Sequence, residues 1–216
     1  MLKGKRVIII AGGSIGKREF FTNFFLTHDY IICADGGLEH ARILGLKPDL
    51  IVGDMDSYHG DTTGFNCELL CFPQEKDKTD TELALEYSAS LSPYEVIIIG
   101  GIGKRFDHSL GNIYLLIKSL NMGLRVTLLD SYQQIYLISR DLYIKSNITG
   151  ETISLIPLTY EVTGIVTEGL RYPLNDECLY IGETRGISNK IISLPVFIRI
   201  NSGLLLIIRN LIIPED

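Results

Sequence analysis

The sequence predicts an α/β N-terminal domain built on a mainly parallel sheet, followed by a smaller all-β sandwich domain. Two observations carry this. Through residues 1–130 short apolar runs alternate with helical patterns, whereas from residue 131 helical patterns give way to β-rich runs separated by turn residues. A third observation concerns chemistry: in the first part, polar glycine-rich motifs recur just past the ends of the apolar runs. In open α/β sheets that edge is where ligands bind.

Taken in order, residues 7–11, 30–34, 50–52, 68–72, 95–99 and 125–129 read as strands. Residues 17–27, 38–44, 81–90 and 109–120 read as helices between them. The run Val96-Ile97-Ile98-Ile99 is apolar at every position, the pattern of a strand covered on both faces. In the second part 152–156, 161–167, 178–181, 186–194, 196–200 and 204–209 read as strands. Turn signals at Asn147-Ile148-Thr149-Gly150, Asn175-Asp176 and Asn201-Ser202-Gly203 separate several of them.

Composition narrows the function. The 216 residues suffice for one large or two small domains, and 46% hydrophobic with 21% charged residues is a globular balance. The net charge is −6 and no Lys/Arg run tracks a nucleic-acid backbone, which argues against a DNA or RNA partner. An acidic protein that handles an anionic nucleotide needs a divalent ion and a few placed cations. No apolar stretch reaches the roughly eighteen residues of a membrane helix, and Val7-Ile8-Ile9-Ile10-Ala11 is too short for the core of a signal peptide. Cys33, Cys67, Cys71 and Cys178 lack zinc-ligand spacing and are expected to be reduced core thiols of a cytoplasmic protein.

The acidic motifs are the most informative. Asp54 and Asp56 stand in Gly53-Asp54-Met55-Asp56-Ser57, and Asp80 closes Asp77-Lys78-Thr79-Asp80. Hard cations such as Mg²⁺ take one or two carboxylates together with substrate phosphates, so this grouping suits a metal-assisted phosphate site. The plain alternative is that each acid caps a turn or helix. Lys76 and Lys78 flank the acids and suit phosphate oxygens. Asp35-Gly36-Gly37 places another carboxylate at a strand end, where it could cap the next helix instead. The stretch Gly100-Gly101-Ile102-Gly103-Lys104-Arg105-Phe106-Asp107-His108 adds permissive backbone, two cations, and an acid and a histidine able to orient or deprotonate an alcohol. Capping by Asp107 or Ser109 is its structural alternative. The first glycine loop, Ala11 to Arg18, fails the P-loop template at Ala11 and Arg18, though such a turn could still offer N–H groups to a phosphate.

Together, Ala34-Asp35-Gly36-Gly37, the run from Gly45 to Ser57, Lys76-Asp77-Lys78-Thr79-Asp80 and Gly100-Gly101…Arg105-Phe106-Asp107-His108 resemble the thiamine pyrophosphokinase family in order and spacing. Gly169-Leu170-Arg171-Tyr172-Pro173-Leu174 and Gly186-Ile187-Ser188-Asn189 are similar to that family's substrate-side motifs. The resemblance implies transfer of a diphosphoryl group from ATP to thiamine, releasing AMP, by a Mg²⁺-dependent homodimer whose thiamine sits between one subunit's α/β domain and the other's β domain. It implies that Asp54, Asp56 and Asp80 hold Mg²⁺. Asp35, Gly36, Gly100, Gly101, Lys76, Lys78 and Arg105 would line the nucleotide and its phosphates. Asp107 and His108 would stand near the transferred group, and Tyr172, Ser188 and Asn189 would reach thiamine. The family often carries tryptophan where Tyr172 stands, and an acid where Lys190 follows the Ser-Asn pair. Competing readings are a diphosphokinase acting on another alcohol such as a pterin, a nucleotide-sugar transferase using D-x-D, and a non-catalytic nucleotide or thiamine sensor.

Overall fold

Valine- and isoleucine-rich runs take the centre of a parallel sheet because both faces of each strand can be buried there. The computed structural model describes residues 4–54, 67–145 and 149–212, and the chain divides into two compact units, Met1–Ser131 and Tyr132–Asp216. In the first unit the strands are β1 (Arg6–Ile10), β2 (Tyr30–Ala34), β3 (Leu50–Gly53), β4 (Glu68–Cys71), β5 (Glu95–Ile99) and β6 (Val126–Leu129). The helices are α1 (Gly37–Leu44), α2 (Asp80–Ser90) and α3 (Phe106–Asn121).

The strands lie in the order β6-β5-β1-β2-β3-β4, and each adjacent pair is parallel. Ile9 is flanked by Ile32 on one side and Ile98 on the other, and all three are fully buried. Strand order reverses between β1 and β5, so this is the switch point at whose carboxyl end a crevice opens. There the loops after β1 and β5 are stitched together: Ala11 N–H donates to the Ile99 carbonyl and Gly13 N–H to the Gly100 carbonyl, both at 2.8 Å.

Glycine makes that junction possible. A Cβ at Gly37 would overlap the Ile10 carbonyl, and one at Gly100, where φ is +69°, would overlap the Ala11 carbonyl. Side chains at these positions would push apart loops that the site needs in contact.

The second unit is a β sandwich. Its strands are β7 (Gln133–Ile138), β8 (Leu142–Ile144), β9 (Thr152–Pro157), β10 (Glu161–Glu168), β11 (Asn175–Tyr180), β12 (Asn189–Lys190), β13 (Val196–Arg199) and β14 (Leu205–Asn210). Strands β12, β9, β14 and β7 pair antiparallel in that order, and β11-β10-β13-β8 form a four-stranded antiparallel sheet. Alternate residues of both, including Ile153, Leu205 and Ile207 from one and Val162, Val196 and Ile198 from the other, make a shared core.

Several expectations are corrected. The helix expected over 17–27 is a short 3-10 turn at Arg18–Phe21. Its helical spacing of phenylalanines builds a local aromatic cluster instead, and the Phe24 carbonyl is taken by Arg6 at 2.8 Å, not by a helical amide. The strand expected over 186–194 shrinks to β12, because Ser188 adopts φ +59° and breaks the extended run. Residues 175–176, read as a turn, belong to β11, while β7 and β8 are additional to the expected strands. Of the cysteines, all four free, only Cys33 is a core residue; Cys71 is exposed, and Cys67 and Cys178 are half-buried.

Helices α2 and α3 flank the crevice and are braced by charge. Lys118 on α3 donates to Glu82 at 2.6 Å and also to Glu86 on α2, while Lys78 donates to both Glu86 oxygens at 2.9 Å. The hydrogen bonds from Lys118 and Lys78 hold the Glu86 carboxyl below its ordinary range. A depressed carboxyl pKa stabilises the fold above the unfolded value and loses that contribution as pH falls through the folded one.

Two tests follow from this scaffold. Gly37→Ala should lower the unfolding free energy by about 3 kcal/mol in urea titration, since backbone rather than a flexible side chain must yield. Glu86→Gln should cost under ~1 kcal/mol at pH 7, because the pairs are partly exposed. Its difference from wild type should shrink as pH falls below 4.5, the ordinary value for this carboxyl.

Candidate active site

A cavity of about 730 Å³ opens at the carboxyl ends of the parallel strands, and its lining among the described residues comes from the first unit. Each strand end contributes. The loop after β1 brings Gly12 to Ser14, Asp35 directly follows β2, Asp54 directly follows β3, and the segment after β4 brings Lys76, Lys78 and Asp80. The loop after β5 brings Gly100, Gly101 and Arg105, and α3 adds His108 and Asn112. Residues far apart in sequence meet because the parallel sheet points every one of these ends the same way.

The acids and cations are closely coupled. Lys76 Nζ lies 3.6 Å from Asp54 Oδ2 and 3.1 Å from Asp80 Oδ1, with side-chain exposures of 14% to 16% for the three groups. Burial raises the Asp80 pKa; the Lys76 ammonium opposes this, and the nearby Asp35 and Asp54 charges add to it. Burial alone would lower the Lys76 pKa, but Asp80 and Asp54 hold it above its ordinary value.

Asp80 Oδ1 and Asp35 Oδ1 are buried without a hydrogen-bond donor among the described residues. The Lys76 ammonium is near Asp80 Oδ1 in distance but off the line a hydrogen bond needs. Lone pairs of this kind, in a carboxylate set, fit a hard divalent cation. Among the described residues no group of three or more His, Cys, Asp or Glu side chains is placed to hold a metal ion; Mg²⁺ usually binds through one or two carboxylates and takes its other ligands from waters and phosphates.

Helix capping explains little of the acidic pattern. Thr79, not Asp80, caps α2 by accepting from Glu82 N–H at 3.2 Å, and Asp80 is the first helical residue. The N-cap of α1 is Gly36, with no side-chain cap, while Asp35 sits at the unusual φ of +44°. Backbone strain of that kind in a non-glycine residue at a cleft is tolerated where surrounding structure fixes it. Ser109 does not cap α3 through its first-turn amides; its hydroxyl accepts from Gly103 N–H at 3.0 Å and ties the glycine loop to the helix.

The geometry bears on four of the expected site elements. Asp107 does not line the cavity: its exposed carboxylate pairs with Arg105 at 2.7 Å, and that hydrogen bond lowers its pKa, making it a poor proton acceptor. The first glycine loop spends its amides, since Gly13 and Ser14 donate to the Gly100 and Ile102 carbonyls. Lys78 lines the cavity yet is held by Glu86. Gly36 packs its backbone on Gly12 and is not part of the cavity wall. Asp56 lies outside the described residues.

The substrate-side residues gather in the second unit. Asn189 is buried, and its amide nitrogen donates to the Tyr172 carbonyl at 2.7 Å while its oxygen accepts from Tyr172 N–H at 3.1 Å. Asn189 therefore orients Tyr172 through the backbone. The Tyr172 ring is exposed with the Arg171 guanidinium over it, and Ser188 is exposed beside Asn189.

Sequence reasoning missed Gln74, Asn112 and His40. Asn112 is buried and donates to the Gly101 carbonyl at 2.7 Å; His40 Nε2 is 2.6 Å from the Gly13 carbonyl. Each is a single polar residue without a motif, so only its partner loop reveals its use.

Fold and cleft define a two-domain enzyme whose α/β unit carries a carboxylate–lysine site, with a β-sandwich unit following it in sequence. Comparison with known proteins names the family. The thiamin pyrophosphokinase catalytic domain matches residues 21–128, and the thiamin pyrophosphokinase vitamin B1 binding domain matches residues 139–205. Thiamine pyrophosphokinase of Bacillus subtilis (strain 168) is 30% identical over 212 residues, 95% of this chain and 99% of that protein. Thiamine pyrophosphokinase 1 of Oryza sativa subsp. japonica is 28% identical over 188 residues, 73% of this chain and 70% of that protein. The crystal structure of the Bacillus subtilis protein superposes with a TM-score of 0.88 at 29% identity, covering 95% of this chain and 99% of that one. A thiamin pyrophosphokinase family protein from Enterococcus faecalis gives 0.82 at 26% identity, covering 96% and 100%. The chain belongs to the thiamin pyrophosphokinase family.

Proposed function

We propose that this chain transfers the terminal diphosphoryl group of ATP to the hydroxyl of thiamine, giving thiamine diphosphate and AMP. The observation that carries the reading is the meeting of Asp35, Asp54 and Asp80 with Lys76, Lys78 and Arg105 in one cavity at the sheet's switch point. Such transfers need positioning and charge neutralisation more than covalent help from the protein. Asp54 and Asp80 would hold Mg²⁺, joined by Asp56 on the reading from the family's motif, and bound Mg²⁺ would supply neutralisation of phosphate charge. Lys76, Lys78 and Arg105 add positive charge around the phosphates, while Gly100 and Gly101 let the backbone approach them closely.

Because Asp107 lies outside the cavity lining and pairs with Arg105, the cavity carboxylates are better placed than Asp107 to take the alcohol's proton. On the same reading Tyr172, Ser188 and Asn189 form the thiamine side, with a second copy of the chain completing the site as a homodimer in the cytoplasm. Among the described residues no helix is long and apolar enough to cross a membrane.

Incubation with ATP, Mg²⁺ and thiamine should yield thiamine diphosphate and AMP in equal amounts by chromatography. ADP as the product, or AMP release independent of thiamine, overturns the reading. Asp54→Asn should reduce turnover by at least about a hundredfold while leaving the circular dichroism spectrum and melting temperature near wild type. Near-native activity in that variant removes Asp54 from the metal site.

A further inference from the structure

A cation already stands among the site's carboxylates. Lys76 lies between β4 and α2, four positions before Asp80, and its ammonium reaches both Asp80 and Asp54 at the end of β3. Nothing about this segment forces a lysine inward: Lys78, two residues on, is 44% exposed and pairs with Glu86.

The quality of the contact is informative. Buried ion pairs elsewhere in the chain are aligned and doubly bonded: Arg6 donates to the two Asp29 oxygens at 2.9 Å and 2.6 Å, and Arg209 donates twice to Glu151 Oε2 at 3.2 Å and 2.5 Å. Lys76 meets neither partner that way. Its distances to the two acids are 3.1 Å and 3.6 Å, and Asp80 Oδ1 still lacks a directed donor among the described residues. The ammonium supplies charge and leaves Asp80 Oδ1 without an aligned donor among the described residues, as a replaceable counter-ion does and a structural salt bridge does not. Lysine's flexible stem allows its head to move without backbone change.

We propose that Lys76 is a displaceable internal counter-cation: it neutralises Asp54 and Asp80 when no divalent cation does, yields them to that cation, and turns its ammonium to the nucleotide's phosphates. This rests on the metal reading above. Lys76 and the divalent cation compete for the same oxygens, so each weakens the other's hold by the same factor. The freed ammonium then gains phosphate oxygens, which couples metal binding to nucleotide binding.

The test uses Mn²⁺, which carboxylate sites also accept, with binding measured by titration calorimetry without nucleotide. Lys76→Met should bind Mn²⁺ about tenfold tighter than wild type, within the usual range of such couplings. Its metal-free form should melt at a lower temperature, and the gap should close as Mn²⁺ is added. Lys78→Met should bind Mn²⁺ like wild type. Equal tightening in both variants points to the general field of the cavity and overturns displacement. Unchanged or weaker binding in Lys76→Met also overturns it, while the metal reading stands if Asp54→Asn still weakens Mn²⁺ binding. Mn²⁺ uptake insensitive to Asp54→Asn overturns both. Lys76→Gln, which keeps a polar head without charge, carries the same test if Lys76→Met does not fold.

Discussion

Backbone-on-backbone packing of the strand-end loops is the constraint on which the rest of the first unit depends. At Gly37 the chain runs against the Ile10 carbonyl, and at Gly100 it runs against Ala11. With no side chain in the way, the ends of β1, β2 and β5 close into one wall. Asp35, held at φ +44°, is carried into that wall by the turn leading to Gly37. The cavity is therefore a product of where the backbone can touch itself, and its polar side chains inherit their positions from those contacts.

Bringing strand ends together concentrates negative charge. Asp35, Asp54 and Asp80 influence one another strongly enough that burial and mutual repulsion lift the Asp80 pKa despite a neighbouring ammonium. Nearby cations offset part of that charge. Lys76 does this at Asp54 and Asp80; Lys78, which also lines the cavity, pairs with Glu86, and Lys118 pairs with Glu82 and Glu86. The two cations part because the irregular segment before α2 brings Lys76 against Asp54 and Asp80 and lets Lys78 reach Glu86 on α2.

The second unit solves a different problem. Its irregular stretch around Ser188 gives up strand hydrogen bonds, and Asn189 replaces some of them by clasping Tyr172 through both backbone groups. An exposed aromatic ring is thus held by a buried amide. The geometry shows why an asparagine suits the position: its carboxamide carries a donor and an acceptor side by side, which match the carbonyl and the N–H of one residue.

The α/β-then-β order, the parallel core and the acidic strand ends were written in the sequence. These follow from local composition: continuous apolar runs, turn residues and carboxylates at run ends are visible without neighbours. Strands β2 and β5 were legible to the residue. What only the tertiary structure decided is which partners each group takes. The phenylalanines of 18–25 have helical spacing, yet Arg6 claims the Phe24 carbonyl; Asp107 has the look of a base, yet Arg105 claims it. Lys76 and Lys78 are indistinguishable in the sequence, and one holds the carboxylates while the other braces a helix. Hydrogen bonds and ion pairs are short-ranged and directional, so their choice among partners is made in space, after the chain has folded.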